Sequence, residues 1–122
     1  MSRTILVVDD SGMARRGNRR ILEGAGYTVV EAEDGMAALE RYFIDKPDLV
    51  LLDLVMKGMY GIEVLTKLRA LDGEARVLVV SADIQTSSRD MVADAGAVGF
   101  LNKPVAPDEL IAAVRSAIGE RA

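Results

Sequence analysis

The chain contains no cysteine and no histidine. Without cysteine, neither a disulfide framework nor a thiolate metal site can form, and nothing points to an oxidising compartment. Without histidine, a histidine-based catalytic triad, a histidine-ligated zinc site and an internal phosphohistidine donor are all excluded. Long apolar runs are missing too: the longest, Leu49 to Met56, is interrupted by Asp53 and is far too short to cross a bilayer. No charged-then-apolar leader precedes Ile5, so a cytoplasmic protein away from the membrane is expected. Fifteen basic and nineteen acidic residues leave a net charge of only −4, which gives no general reason to bind nucleic acid. A glycine-rich loop after the first apolar run is lacking, since Gly24 and Gly26 come a helix later. That argues against flavin or dinucleotide binding. There is no internal repeat and no low-complexity segment.

What is present is ordinary globular composition, half apolar and 28% charged. The 122 residues suit one domain over 1–122, long enough for a single core and without a linker. Thr4 to Val8 is apolar on both faces of a strand, as a central strand covered by helices on both sides would be. Ser11 can cap a first helix carrying Ala14, Gly17 and Ile21, which Gly24 and Gly26 end. Tyr27 to Ala32 reads as a second strand. Asp34-Gly35 opens a second helix whose Met36, Leu39 and Phe43 share a face, closed by Lys46-Pro47. Asp48 to Asp53 is a third strand, and Val64, Leu65, Leu68 and Leu71, after Gly61, give an amphipathic third helix ending at Asp72-Gly73. Arg76 to Ser81 is a fourth strand. Gln85 to Asp90 is six polar residues in a row, so the fourth helix, with Met91, Val92 and Ala95, has a weak apolar face at its start and is expected to be the most mobile. Val98 to Leu101 is a fifth strand, and Pro107 opens a last helix with Leu110, Ile111, Val114, Ala117 and Ile118 facing inward. Five strand–helix units of this length predict an α/β fold, a doubly wound parallel sheet of five strands with right-handed crossovers.

Four of these apolar runs end in a reactive or charged residue: Asp9 and Asp10, Asp53, Ser81, and Lys103-Pro104. In a parallel sheet their carboxyl ends share one edge, where open α/β sheets bind ligands. Three carboxylates, a hydroxyl and an ammonium would then converge. Such a set can hold a divalent cation beside an acidic nucleophile, with a cation to meet an incoming phosphoryl group.

These motifs, with Phe100 three positions before Lys103, resemble the receiver domains of two-component response regulators, in particular the stand-alone CheY-like type, from Ile5 to the final helix. The resemblance implies a flavodoxin-like (βα)5 sheet in the order 2-1-3-4-5. It makes Asp53 the phosphoacceptor, with Lys103 and Ser81 contacting the phosphoryl group. It places Mg2+ on Asp10, Asp53 and the backbone carbonyl of Val55, with Asp9 reaching the metal through water. Crowded carboxylates raise one another's pKa unless cations neutralise them, which is the physical use of Mg2+ and Lys103. Ser81 and Phe100 become the switch pair, and Lys103-Pro104 a cis peptide that aims the lysine. The implied partners are a histidine kinase or histidine-containing phosphotransfer protein upstream and a protein target downstream. That target would dock on the fourth helix, fifth strand and fifth helix, in chemotaxis or another pathway. A monomer is expected, with dimerisation on phosphorylation left open. The chain ends after its last helix without a DNA-binding segment, so action by protein docking, with no nucleic acid bound directly, is expected.

The sequence also departs from the family pattern. Lys57 stands where the family usually has proline and Tyr60 where it often has aspartate, with Gly58 between them adding backbone freedom. Val55 and Asp83, two residues after Asp53 and Ser81 respectively, occupy the positions that tune hydrolysis lifetime in the family. Valine cannot orient a water and Asp83 can, so measurable but not fast autodephosphorylation is expected. Arg15, Arg16, Arg19 and Arg20 crowd the first helix, either as a solvated face or as a docking surface for an acidic phosphodonor. Two other functions compete. An aspartyl phosphohydrolase would normally need an acid two residues after its nucleophile, where Val55 stands. A degenerate receiver, acting as a phosphorylation-independent interaction module, is encouraged by Lys57 and Tyr60 and opposed by the intact Asp9, Asp10, Asp53, Ser81 and Lys103.

Overall fold

The computed structural model describes residues 3–54, 56, 60–82 and 86–119, with the backbone alone for 86–88. Strands β1 (Thr4–Val8), β2 (Thr28–Ala32), β3 (Leu49–Asp53), β4 (Val77–Ser81) and β5 (Gly99–Asn102) alternate with helices α1 (Gly12–Gly24), α2 (Gly35–Asp45), α3 (Gly61–Leu71), α4 (Thr86–Asp94) and α5 (Pro107–Ile118). All neighbouring strands pair in parallel, in the order β2-β1-β3-β4-β5. This is the flavodoxin-like order. β1 is interior, and β3 takes the middle position.

Successive strand residues point to opposite faces, and that alternation builds two cores. Leu6, Val8, Val50, Leu52, Val77 and Val79 pack under α2, α3 and α4. Ile5, Val7, Leu49, Leu51, Leu78 and Val80 pack under α1 and α5, against Leu22, Leu110, Val114 and Ile118. The central strands β1, β3 and β4 are therefore apolar apart from Thr4 and the strand-end Asp53 and Ser81, as a sheet buried on both sides requires. At about 25 cal/mol per Å2, each such side chain contributes roughly 1.5–3 kcal/mol.

Helix starts follow the expected caps. Ser11 Oγ accepts from the Ala14 N–H at 3.2 Å and Asp34 Oδ1 from the Ala37 N–H at 2.8 Å. Lys46 ends α2 in the left-handed region (φ 46°), just before Pro47.

The buried face of a helix does not always follow its apolar spacing. In α2 the buried positions are Gly35, Ala38 and Tyr42, while Met36 and Phe43 are exposed. The Tyr42 hydroxyl donates to Asp72 Oδ2 at 2.6 Å, and Leu39 is left partly buried. Leu71 is exposed because α3 ends there and Val64, Leu65 and Leu68 already fill the stripe. Ile111 in α5 is only half-buried, and Met91 in α4 faces out while Val92 is buried. No helix among the described residues is long and apolar enough to cross a membrane.

Candidate functional site

The parallel register brings the ends of β1, β3, β4 and β5 to one edge, and the predicted residues meet there. Asp9, Asp10 and Asp53 each present a carboxylate oxygen within 4.8 Å of the others'. Lys103 Nζ lies 3.2 Å from Asp9 Oδ2 and 3.4 Å from Asp53 Oδ2. Burial alone would depress the Lys103 ammonium. The charges of Asp53 and Asp9 outweigh it and hold its pKa above the usual lysine value.

The three acids are not equivalent. Asp9 is 3% exposed and Asp10 lies on the surface. Asp9 Oδ1 accepts the Ser11 N–H at 2.9 Å, and its own N–H donates to the Ala32 carbonyl at 3.2 Å. A buried carboxylate is thereby fully engaged, as its desolvation requires. Ser81 is completely buried at the end of β4, and its carbonyl accepts the Lys103 N–H at 2.9 Å. The Lys103-Pro104 peptide is cis, as the resemblance implies. Phe100, half-buried on β5, packs on the α2–α3–α4 side, with the Arg89 guanidinium 5.3 Å from its ring centroid. That is within cation–π range.

A divalent cation suits this set. The donors are hard oxygens, and three carboxylates with one ammonium leave two formal negative charges. Oxygens gathered this closely would hold Mg2+, an ion that takes oxygen ligands, and the ion would offset the remaining negative charge. The roles given to Val55, Asp83, Lys57 and Gly58 fall outside the described residues.

Gly61 and Arg15 have a part in the site that sequence reasoning did not see. A Cβ on Gly61 would stand 2.5 Å from the Asp53 carbonyl oxygen and 2.6 Å from Leu54 Cα, so only glycine lets α3 start this close to the acid-bearing segment. The Gly61 N–H donates to the Leu54 carbonyl at 2.7 Å, which fixes that approach. Arg15 donates to the Asp9 carbonyl at 2.7 Å and to Glu31 Oε1 at 3.1 Å. Arg19 pairs with Glu31 at 2.8 Å and with Glu23 at 3.2 Å. The hydrogen bond from Arg19 holds Glu31 below the usual carboxylate range against its partial burial, with Arg15 adding to it. Arg15 and Arg19 thus bind within the molecule rather than form an open docking face, and Arg16 and Arg20 are the exposed arginines of that helix. Beside them runs an open groove of about 500 Å3, lined by Ala14, Gly17, Asn18, Ile21, Lys103 and Pro104 among others.

A family model described as the response regulator receiver domain matches residues 5–115. The chain is 43% identical over 116 residues to the response regulator MprA of Mycobacterium ulcerans, covering 95% of this chain and 50% of that protein. It spans about half the length of the curated relatives it matches. Among solved structures it is similar to a CheY-like receiver domain protein from Methanospirillum hungatei. The TM-score is 0.93 and the identity 26%, covering 98% of this chain and 95% of that one. It is also similar to a chain of the CheX-CheY-BeF3-Mg2+ complex from Borrelia burgdorferi. There the TM-score is 0.89 and the identity 29%, covering 93% of this chain and 87% of that one.

Proposed function

The chain belongs to the response regulator receiver domain family, and on that premise we propose that residues 1–122 form one receiver unit whose Asp53 takes a phosphoryl group from a histidine kinase or histidine-containing phosphotransfer protein. One observation carries the reading: the Lys103 ammonium stands between the buried Asp9 and the strand-end Asp53. An Asp53 oxygen attacks phosphorus in line, the new O–P bond forms as the donor's N–P bond breaks, and the electron pair returns to the donor imidazole. Lys103 meets charge on the phosphoryl oxygens, and Ser81 donates its hydroxyl to them.

Asp10, Asp53 and the Val55 carbonyl would hold Mg2+, with Asp9 reaching it through water; the bound ion supplies further charge neutralisation. The Borrelia relative, described as a complex with BeF3 and Mg2+, supports that choice of ion. The groove between α1 and Lys103-Pro104 opens beside the site and suits the donor. Phosphorylation adds roughly −1.5 to −2 charge. Ser81 turning toward that charge gives Phe100 room to move inward, which alters the α4–β5–α5 surface that a target protein reads. Val55 and Asp83 set the lifetime of the modified state. The protein is a cytoplasmic switch that acts only on its own acyl phosphate, and the CheY likeness leaves chemotaxis as one pathway among several. The curated relatives are about twice its length. What a whole protein of that kind binds, nucleic acid included, is a separate matter from this receiver.

Exposure to Mg2+ and acetyl phosphate, followed by intact-mass measurement of wild type and Asp53→Ala, tests the reading. The wild type should gain one phosphoryl group and the variant none. A gain that survives the substitution moves the acceptor elsewhere, and no gain in wild type favours the phosphorylation-independent interaction module.

A further inference from the structure

We propose that Arg15 is a positioning residue for the acid cluster, holding the Asp9–Asp10 peptide in the orientation that lets Asp10 face Asp53. The inference rests on the reading of that cluster as the Mg2+ and phosphoryl site. It begins with an orphan acceptor. β1 pairs with β2 as far as Val8↔Ala32 and with β3 as far as Val8↔Leu52, so the Asp9 carbonyl lies beyond both ladders. α1 starts at Gly12, so that carbonyl also lies outside the helix. Arg15 supplies the missing donor at 2.7 Å.

The guanidinium is itself fixed. Its Nε donates to Glu31, and its backbone N–H donates to the Ser11 carbonyl at 3.0 Å. Glu31 neighbours Ala32, whose carbonyl accepts the Asp9 N–H. The main chain of Asp9 is therefore bound on one side by β2 directly and on the other by β2 through Arg15. The carbonyl of Asp9 and the N–H of Asp10 share one rigid peptide plane. Holding that carbonyl therefore fixes the direction in which Asp10 leaves the turn. Asp10 is the surface-exposed member of the three acids, so the direction of its backbone decides where its carboxylate stands. A lysine at position 15 would keep the charge but lose the planar fork that reaches two acceptors at once. Arg19 bonds the second oxygen of Glu31, so the anchor does not depend on Arg15 alone.

The test compares Mg2+ titrations of isotope-labelled wild type, Arg15→Met, Arg15→Lys, Glu31→Gln and the Arg15→Met/Glu31→Gln double variant by NMR, with thermal midpoints in Mg2+-free buffer. Arg3→Ala serves as the control, since it removes an ion pair with Asp48 at the opposite end of the sheet. Arg15→Met and Glu31→Gln should each weaken Mg2+ binding about tenfold, as loss of a residue that orients a ligand does. Arg15→Lys should behave like Arg15→Met, and the double variant should lose no more than the larger single. Arg3→Ala should leave Mg2+ affinity unchanged whatever it does to the midpoint. If Arg15→Met lowers the midpoint but binds Mg2+ as wild type does, the ion pair merely holds α1 to β2 and the inference falls. Should Arg15→Met not fold, Glu31→Gln decides by the same two readings. A wild type that binds no Mg2+ removes the metal reading. Amide exchange at Asp10 and Ser11 in metal-free protein then decides the positioning role, faster exchange in Glu31→Gln supporting it and equal exchange overturning it.

Discussion

Lys103 has two electrostatic effects that oppose each other. Its ammonium satisfies Asp9 and Asp53, and in doing so it competes with any cation for the same oxygens. Replacing it with methionine should therefore tighten Mg2+ binding while slowing phosphoryl uptake from acetyl phosphate by about a hundredfold, the usual cost of losing one donor to a developing oxyanion. Parallel titration and time-resolved mass measurement check this, and a variant with weaker Mg2+ binding would show that Lys103 organises the acids rather than competing for them. At this scale the sequence was informative wherever a reactive side chain closes an apolar run. Asp9, Asp10, Asp53, Ser81 and Lys103 all announce themselves in that way, and the edge they share brings them together. Arg15 and Gly61 gave no such signal, because both act on main-chain oxygens. A contact with a carbonyl leaves no pattern of residue types to read.

At the scale of the element, α3 shows how a helix start can determine the placement of a neighbouring acid. Gly61 lets the helix begin against the carbonyl of Asp53, and an added methyl group there meets backbone rather than a side chain that could swing aside. Gly61→Ala should cost about 1–3 kcal/mol of stability and also lower phosphoryl uptake, because relief requires displacing residues 53–54. Chemical denaturation together with acetyl phosphate labelling measures both, and full stability would mean that residues 53–54 shift at little cost. Helix faces were less legible than helix positions. The stripe Met36, Leu39, Phe43 satisfies helical spacing as well as Gly35, Ala38, Tyr42 does, and hydrophobicity favours the wrong one. The buried face carries the tyrosine hydroxyl that reaches Asp72 just past the end of α3, a long-range contact that spacing within one helix cannot express.

For the whole molecule, that same Tyr42–Asp72 bond ties together the ends of α2 and α3 that lie away from the acid cluster. Its loss should appear in global stability and not in site chemistry. The hydrogen bond from Tyr42, with a second from the Glu74 N–H, holds Asp72 below its ordinary value of 3.8. Burial, reinforced by Asp72, pushes the Tyr42 hydroxyl well above its ordinary value of 10.0. A carboxylate depressed in the folded state stabilises above its unfolded pKa and stops doing so as pH falls through the folded one. Tyr42→Phe should therefore lower the thermal midpoint by a few degrees at pH 7, with the gap to wild type closing below about pH 4 and Mg2+ affinity unchanged. A gap that stays constant to pH 3 would mean the hydroxyl contributes by packing alone. The sheet order followed from the family resemblance and the doubly wound class from alternation. The spacing of the strands predicted each boundary to within one residue, because a sheet buried on both faces leaves long apolar signatures.

The backbone bond from Lys103 to Ser81 makes the last two strand ends a single mechanical piece. Lys103 and Ser81 cannot slide past each other without breaking that bond. What this bond leaves free at the two strand ends is rotation of their side chains, and the strands serve as one fixed support for both.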